Sequence, residues 1–248
     1  MPHLSKKQRK ARLLNQEKTE RQTPKLEICQ ITPANDRQKK VFDNFYNDQN
    51  LFLYGVAGTG KSFISIYLAL EQILSGLSVM EKMVIIRSAV QTREQGFLPG
   101  KVKEKMEEYE KPYEAICTKL FDKEDAYKTL RSKHIVDFVS TSFLRSMTFD
   151  DSIIIVDECQ NMTIHELDTV ITRVGKNCRI IFCGDVRQVD LQKRKEMSGV
   201  NDFVKIIKAM RLFSFVEFGV DHIVRGPLVK QYIKTRLQLE DDGLIERL

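Results

Sequence analysis

The sequence predicts an α/β fold, a mostly parallel sheet with helices on both faces. Three observations lead there. Short apolar runs recur along the chain, several of them β-branched without polar alternation, which marks strands covered on both faces. Stretches with apolar residues at helical spacing lie between them. The first run leads into Gly55, Val56, Ala57, Gly58, Thr59, Gly60, Lys61 and Ser62, a full match to the phosphate-loop pattern G-x-x-x-x-G-K-S/T, which belongs between a buried strand and a helix.

In chain order, Thr32 to Gln38 leads into a helical pattern carrying Val41, Phe42 and Phe45. The strand candidates are 50–54, 83–87, 135–139, 152–156, 179–183 and 214–218. Helices are expected at 63–74, 101–121 with an interruption at Pro112, 163–174, 200–211 and 227–239. Strands alternating with helices argue a parallel sheet with ligands at the strand C-terminal ends. The segment at about 101–133 is rich in Lys and Glu and lacks strand patterns, so it reads as a helical insertion on the sheet. A single domain is expected over 26–248, preceded by a basic tail over 1–25 without packed structure.

Composition narrows the class. The 248 residues are ample for a core, and 42% hydrophobic with 30% charged residues describes a water-soluble globular chain. No apolar run approaches a membrane span, and the basic start lacks the apolar stretch of a signal peptide. Five cysteines without a C-x-x-C pair suit small buried residues in a reducing, cytoplasmic compartment. If 179–182 is a strand, Cys178 and Cys183 point to opposite faces and cannot share a metal. The net charge of +6 is unevenly placed, because residues 1–22 hold seven basic side chains, Lys6, Lys7, Arg9, Lys10, Arg12, Lys18 and Arg21, against Glu17 and Glu20. Such a segment serves as a nucleic-acid arm or as a solubilising tail.

The chemistry begins at the loop. Its glycines let backbone N–H groups turn inward around an anion, and the following helix adds its positive dipole end. Lys61 would reach the β- and γ-phosphates of a nucleoside triphosphate, and the Ser62 hydroxyl would enter a Mg2+ shell. Further on, Ile153 to Val156 ends in Asp157 and Glu158, which brings a carboxylate out at the C-terminal edge of a buried strand. Asp157 would hold the metal and Glu158 would act as general base on the attacking water. A third strand runs into Gly184 and Asp185, with Gln188 as the candidate γ-phosphate sensor and Asp185 as its rival. Arg87 and Arg93 follow a strand at the same edge and suit nucleic acid or phosphate, or are solvated loop charges; Phe97 suits base stacking or a loop anchor.

The order of these motifs resembles motifs I, II and III of superfamily 1 helicases. More closely, Arg87-Ser-Ala-Val90, Gly96-Phe-Leu-Pro-Gly100, Asp157 to Asn161, Gly184 to Leu191 and Val224 to Val229 are similar to the PhoH-like ATPases over about residues 30–233. The resemblance implies a RecA-like P-loop NTPase core, ATP with Mg2+, and a link to single-stranded RNA or DNA as a helicase-like motor. A chain of this length has room for one such core, so the resemblance implies that a neighbouring subunit completes each site, as in a homo-oligomeric ring. Gln38 matches the adenine-reading glutamine of the family, and Arg225 matches an arginine proposed to reach a neighbour's γ-phosphate. Ser88, Cys159 and Gly226 depart from the family's usual proline, alanine and histidine. A small-molecule kinase with the same loop, and a binding module that uses nucleotide only as a ligand, stand as the other readings.

Overall fold

The computed structural model describes residues 26–88, 102–185 and 199–245. Six strands, β1 (Asn50–Gly55), β2 (Lys82–Arg87), β3 (Val136–Ser140), β4 (Ser152–Val156), β5 (Arg179–Gly184) and β6 (Phe213–Phe218), form one sheet in the order β3-β2-β4-β5-β1-β6. Every pairing is parallel, in register from Leu51 beside Ile181 to Ile86 beside Val156. All six expected strands are present. The helices are α1 (Asp36–Tyr46), α2 (Lys61–Leu74), α3 (Val102–Phe121), α4 (Ala126–Ser132), α5 (Ile164–Thr172), α6 (Gly199–Met210) and α7 (Pro227–Asp241).

The two-residue period of each strand divides the core between the sheet's faces. Leu51, Leu53, Met83, Ile85, Ile153, Ile155 and Ile181 pack under Val41 and Phe45 of α1, Ile64 and Leu68 of α2, and α3 and α4. Phe52, Val84, Ile86, Ile154, Ile180 and Phe182 pack against Leu167 and Val170 of α5 and Phe203 and Ile207 of α6. Cys183 belongs to the first face and Cys178 lies against the second, as strand alternation requires. Helix α7 is different, because it buries none of its residues and leaves Leu228 and Tyr232 exposed. No helix among the described residues is long and apolar enough to cross a membrane.

One expectation fails in this part of the chain. Pro112 does not interrupt the helix, and α3 runs unbroken from Val102 to Phe121. A proline inside a helix costs about 3 kcal/mol. Pro112 stands on the solvent side, while Tyr113, Cys117 and Leu120 are all but fully buried. Burying large side chains of this kind returns about 1.5–3 kcal/mol each, which outweighs the lost hydrogen bond. Packing against the sheet overrides the local signal. The segment around 101–133 thus becomes α3 and α4, which carry the chain from β2 to its neighbour β3 and add Tyr127 and Leu130 to the core.

Candidate nucleotide site

Strand β1 ends at Gly55, whose φ of 114° lies in the region that side chains avoid. A Cβ there would stand 2.1 Å from the Phe218 carbonyl oxygen of β6, so no larger residue fits. The next amide, Val56 N–H, donates to that same oxygen at 2.9 Å. The turn closes when the buried Thr59 hydroxyl donates to Val56 O at 3.0 Å. Gly60 then takes φ 85° as the residue before α2, and the helix begins at Lys61. The loop is therefore a built turn at a helix N-terminus at the sheet's C-terminal edge, the geometry that receives a phosphate.

Two segments grip this turn from outside. On one side, the buried Gln38 of α1 donates through Nε2 to Thr59 O at 3.0 Å and accepts from Ala34 N–H at 2.8 Å through Oε1. Asn35 caps α1 by accepting from Gln38 N–H, and reaches across to His222 O. On the other side, the stretch after β6 lies over the loop. Val224 N–H donates to Gly58 O at 3.0 Å, and a Cβ at Gly58 would meet the Arg225 side-chain stem at 3.1 Å. Arg225 thus lies on the phosphate loop of its own chain.

Inside the turn, Lys61 folds back. Its Nζ donates to Gly55 O at 2.8 Å and Val56 O at 2.9 Å. Burial pushes the Lys61 pKa down, and the nearby charges of Asp185, Glu158 and Asp157 partly offset it. An ammonium removed from water needs such acceptors, and a ligand's phosphate oxygens would serve the same need.

The end of β4 completes the arrangement. Asp157, nearly buried, receives the Ser62 hydroxyl on Oδ1 at 2.6 Å and the Tyr113 hydroxyl on Oδ2 at 2.9 Å. Burial raises the Asp157 pKa; the two hydroxyl donors and Arg87 pull it down, and Glu158 pushes it further up. Burial and the Asp157 charge push the Tyr113 phenol well up, so it stays a donor. Glu158 follows with φ 52°, a left-handed conformation that costs a non-glycine residue about 1–3 kcal/mol and tends to persist at functional sites. Its Oε2 accepts from Gln160 Nε2 at 2.6 Å, and Gln160 Oε1 accepts from Asp185 N–H at 3.1 Å. The buried Gln160 therefore ties the end of β4 to the end of β5.

The residues singled out from the sequence meet as follows. Gly55 to Ser62, Gln38, Asp157, Glu158 and Arg225 converge at one end of the sheet around β1 and β4, with β5 between them. Arg87 closes β2 and holds its guanidinium 5.8 Å from the Tyr109 ring centroid, near enough to Asp157 to act on its charge. Gln188, Arg93, Phe97, Lys6, Lys7, Arg9, Lys10 and Arg12 lie outside the described residues. Two contributors carry no assignment from the sequence. Gln160 stands two residues after Glu158 on the same tight turn, which was a usable signal. Tyr113 is 44 positions from Asp157, and only the fold of α3 onto the sheet brings them together.

Comparison with known proteins adds the family. A family model described as PhoH-like protein matches residues 30–236. The chain belongs to the PhoH-like protein family. A PhoH-like protein of Bacillus subtilis (strain 168) is 33% identical over 187 residues, which cover 75% of this chain and 57% of that one. Protein PhoH of Escherichia coli (strain K12) is 29% identical over 203 residues, or 81% of this chain and 56% of that one. The chain therefore matches a little over half the length of each of these relatives. Among solved structures, a Sulfolobus solfataricus SWI2/SNF2 ATPase core in complex with dsDNA has a TM-score of 0.42 and 13% identity, over 79% of this chain and 47% of that one.

Proposed function

We propose that this PhoH-like chain is a Mg2+-dependent ATPase whose turnover is coupled to single-stranded RNA or DNA. The observation that carries the reading is the 2.6 Å contact between Ser62 of the phosphate loop and Asp157 at the end of β4, with Lys61 and Glu158 on either side. A hydroxyl and a carboxylate are hard oxygen donors of the kind Mg2+ takes, so the residues fit that ion. When bound, the ion supplies neutralisation of charge on the β- and γ-phosphates. Ser62 and Asp157 would hold it. The loop N–H groups and Lys61 would bind the phosphates, and Gln38 would hold the loop and read the base with its remaining amide capacity.

Glu158 is assigned as the group that takes the proton from the attacking water. Gln160 orients it, because the amide donates to Oε2 and leaves the other oxygen for a water. Gln188 is proposed as the γ-phosphate sensor, with Asp185 as the alternative. Arg225 is proposed to meet charge growing on the γ-phosphate, and its stem on Gly58 supports a role at its own chain's loop. A ring of copies, implied by the family resemblance, enters the proposal through the exposed Leu228 and Tyr232 of α7. The nucleic-acid contact is assigned to the basic residues of 1–22, to Arg87 at the end of β2, and to Arg93 and Phe97. Five cysteines, none of them in a disulfide, support a reducing, cytoplasmic setting.

The experiment is phosphate release from ATP, with and without Mg2+, and with single-stranded RNA or DNA added. Mg2+-dependent release stimulated by oligonucleotide is expected. Release that ignores oligonucleotide refutes the coupling, and nucleotide binding without release refutes the ATPase.

A further inference from the structure

Tyr113 takes no part in the roles assigned above, yet its placement is specific. It is 1% exposed, one of the largest fully buried side chains, and its ring lies 5.7 Å from that of Phe138 in β3. Its hydroxyl donates to Asp157 Oδ2 and also meets the Arg87 guanidinium. Ser62 occupies Oδ1, and Asp157 N–H is tied to Ile86 O at 2.9 Å, so backbone and both carboxylate oxygens are held from three directions. With the backbone tied, the two side-chain torsions, about Cα–Cβ and Cβ–Cγ, decide where the Asp157 carboxylate lies. Without a donor on Oδ2, the carboxylate plane can turn away from the loop. With Tyr113 in place, a donor on each oxygen fixes the plane, Ser62 on one and the phenol on the other.

The helix that supplies the phenol reinforces this. Tyr109, one turn earlier on α3, lies under the Arg87 guanidinium at the end of β2. Tyr113 comes directly after Pro112, and α3 continues through that proline with Tyr113, Cys117 and Leu120 as its buried stripe. A leucine or phenylalanine would fill the same space in the core. Only tyrosine adds a donor at the carboxylate.

We propose that the Tyr113 hydroxyl is a positioning group for Asp157: it holds one carboxylate oxygen so that the carboxylate plane stays aligned with Ser62 and the phosphate loop, and it thereby sets the affinity of the nucleotide site for its divalent cation. This rests on the Mg2+-nucleotide reading of the site. Groups that hydrogen-bond a ligating carboxylate from behind are worth about 10- to 100-fold in metal affinity.

The test uses the full chain and Tyr113→Phe, which removes one oxygen and keeps the ring. Mn2+ serves as the probe, titrated into protein with ADP while the free-ion spin-resonance signal is followed. ADP affinity in EDTA is measured alongside. Expected is a rise of about 10-fold or more in half-saturating Mn2+, with metal-free ADP affinity matching wild type. Phe138→Leu loosens the packing beside the ring but keeps the hydroxyl, and should leave the Mn2+ titration near wild type. An unshifted Mn2+ titration in Tyr113→Phe overturns the proposal, as does an equal shift in Phe138→Leu. A wild-type chain that binds no Mn2+ with ADP overturns the nucleotide reading itself, and the proposal with it.

Discussion

Replacing Glu158 by glutamine should separate binding from chemistry at this site. The amide is nearly the same shape, and its oxygen can still accept from Gln160 Nε2, so the tie through Gln160 to Asp185 N–H survives. What changes locally is a charged acceptor becoming a neutral one, a difference of about 1 kcal/mol in that hydrogen bond. The fold should therefore hold, with at most a small fall in Tm. The change also removes a negative charge that raises the Asp157 pKa, so Asp157 becomes easier to keep ionised. Both effects leave the nucleotide and cation contacts intact. The proposed proton acceptor is gone, however, and general-base assistance is worth about 10^2- to 10^4-fold. A 100-fold loss corresponds to about 2.7 kcal/mol of transition-state stabilisation. The assay is single-turnover phosphate release from ATP beside equilibrium binding of a fluorescent ATP analogue. Release should slow by about 100-fold or more while affinity stays level or tightens. A kcat close to wild type would refute the assignment and pass the role to Asp185.

Lys61→Ala should abolish hydrolysis and weaken ATP binding, because the phosphate charge is then uncompensated in a partly desolvated site; steady-state turnover at the wild-type rate would remove the loop from the mechanism. Arg225→Ala should lower kcat by about 10^3-fold or more with little change in ATP affinity, since such arginines meet charge that grows in the transition state. Given the contact of Arg225 with Gly58 of its own chain, mixing this variant with Lys61→Ala protein should restore nothing, and restored turnover would instead place Arg225 in a neighbour's site. Removal of residues 1–22, with their seven basic side chains, should weaken oligonucleotide binding and spare basal turnover. If about five of those charges meet phosphates, the full chain's log K should fall with log salt more steeply by about 3.5, and parallel slopes would make the segment a solubilising tail.

Strand identities were legible from residue types because each face of a buried parallel strand must be apolar, and Ile153 to Val156 or Met83 to Ile86 satisfy that condition locally. The phosphate loop was legible for a similar reason. Gly55 and Gly60 need φ values of 114° and 85°, and such a demand is written into one residue at a time. Helix α3 shows where local signals stop. Pro112 argues a break, and the break is overruled by Tyr113, Cys117 and Leu120 packing under the sheet, an energy that does not exist until the sheet is assembled.

The sequence by itself determined the strand-loop-helix unit at 50–74, the acidic pair at the end of an apolar run, and the family the chain belongs to. All of these depend on residues adjacent in the chain. Tertiary structure alone decided that Ser62 faces Asp157, that Gln38 and Val224 grip the loop from opposite sides, that Arg225 lies on its own chain's Gly58, and that Tyr113 reaches the Asp157 carboxylate. Those contacts join residues 21 to 167 positions apart, and no local pattern encodes them. They follow from the strand order, which places β1 and β4 one strand apart, and from the face of the sheet onto which each crossover helix folds.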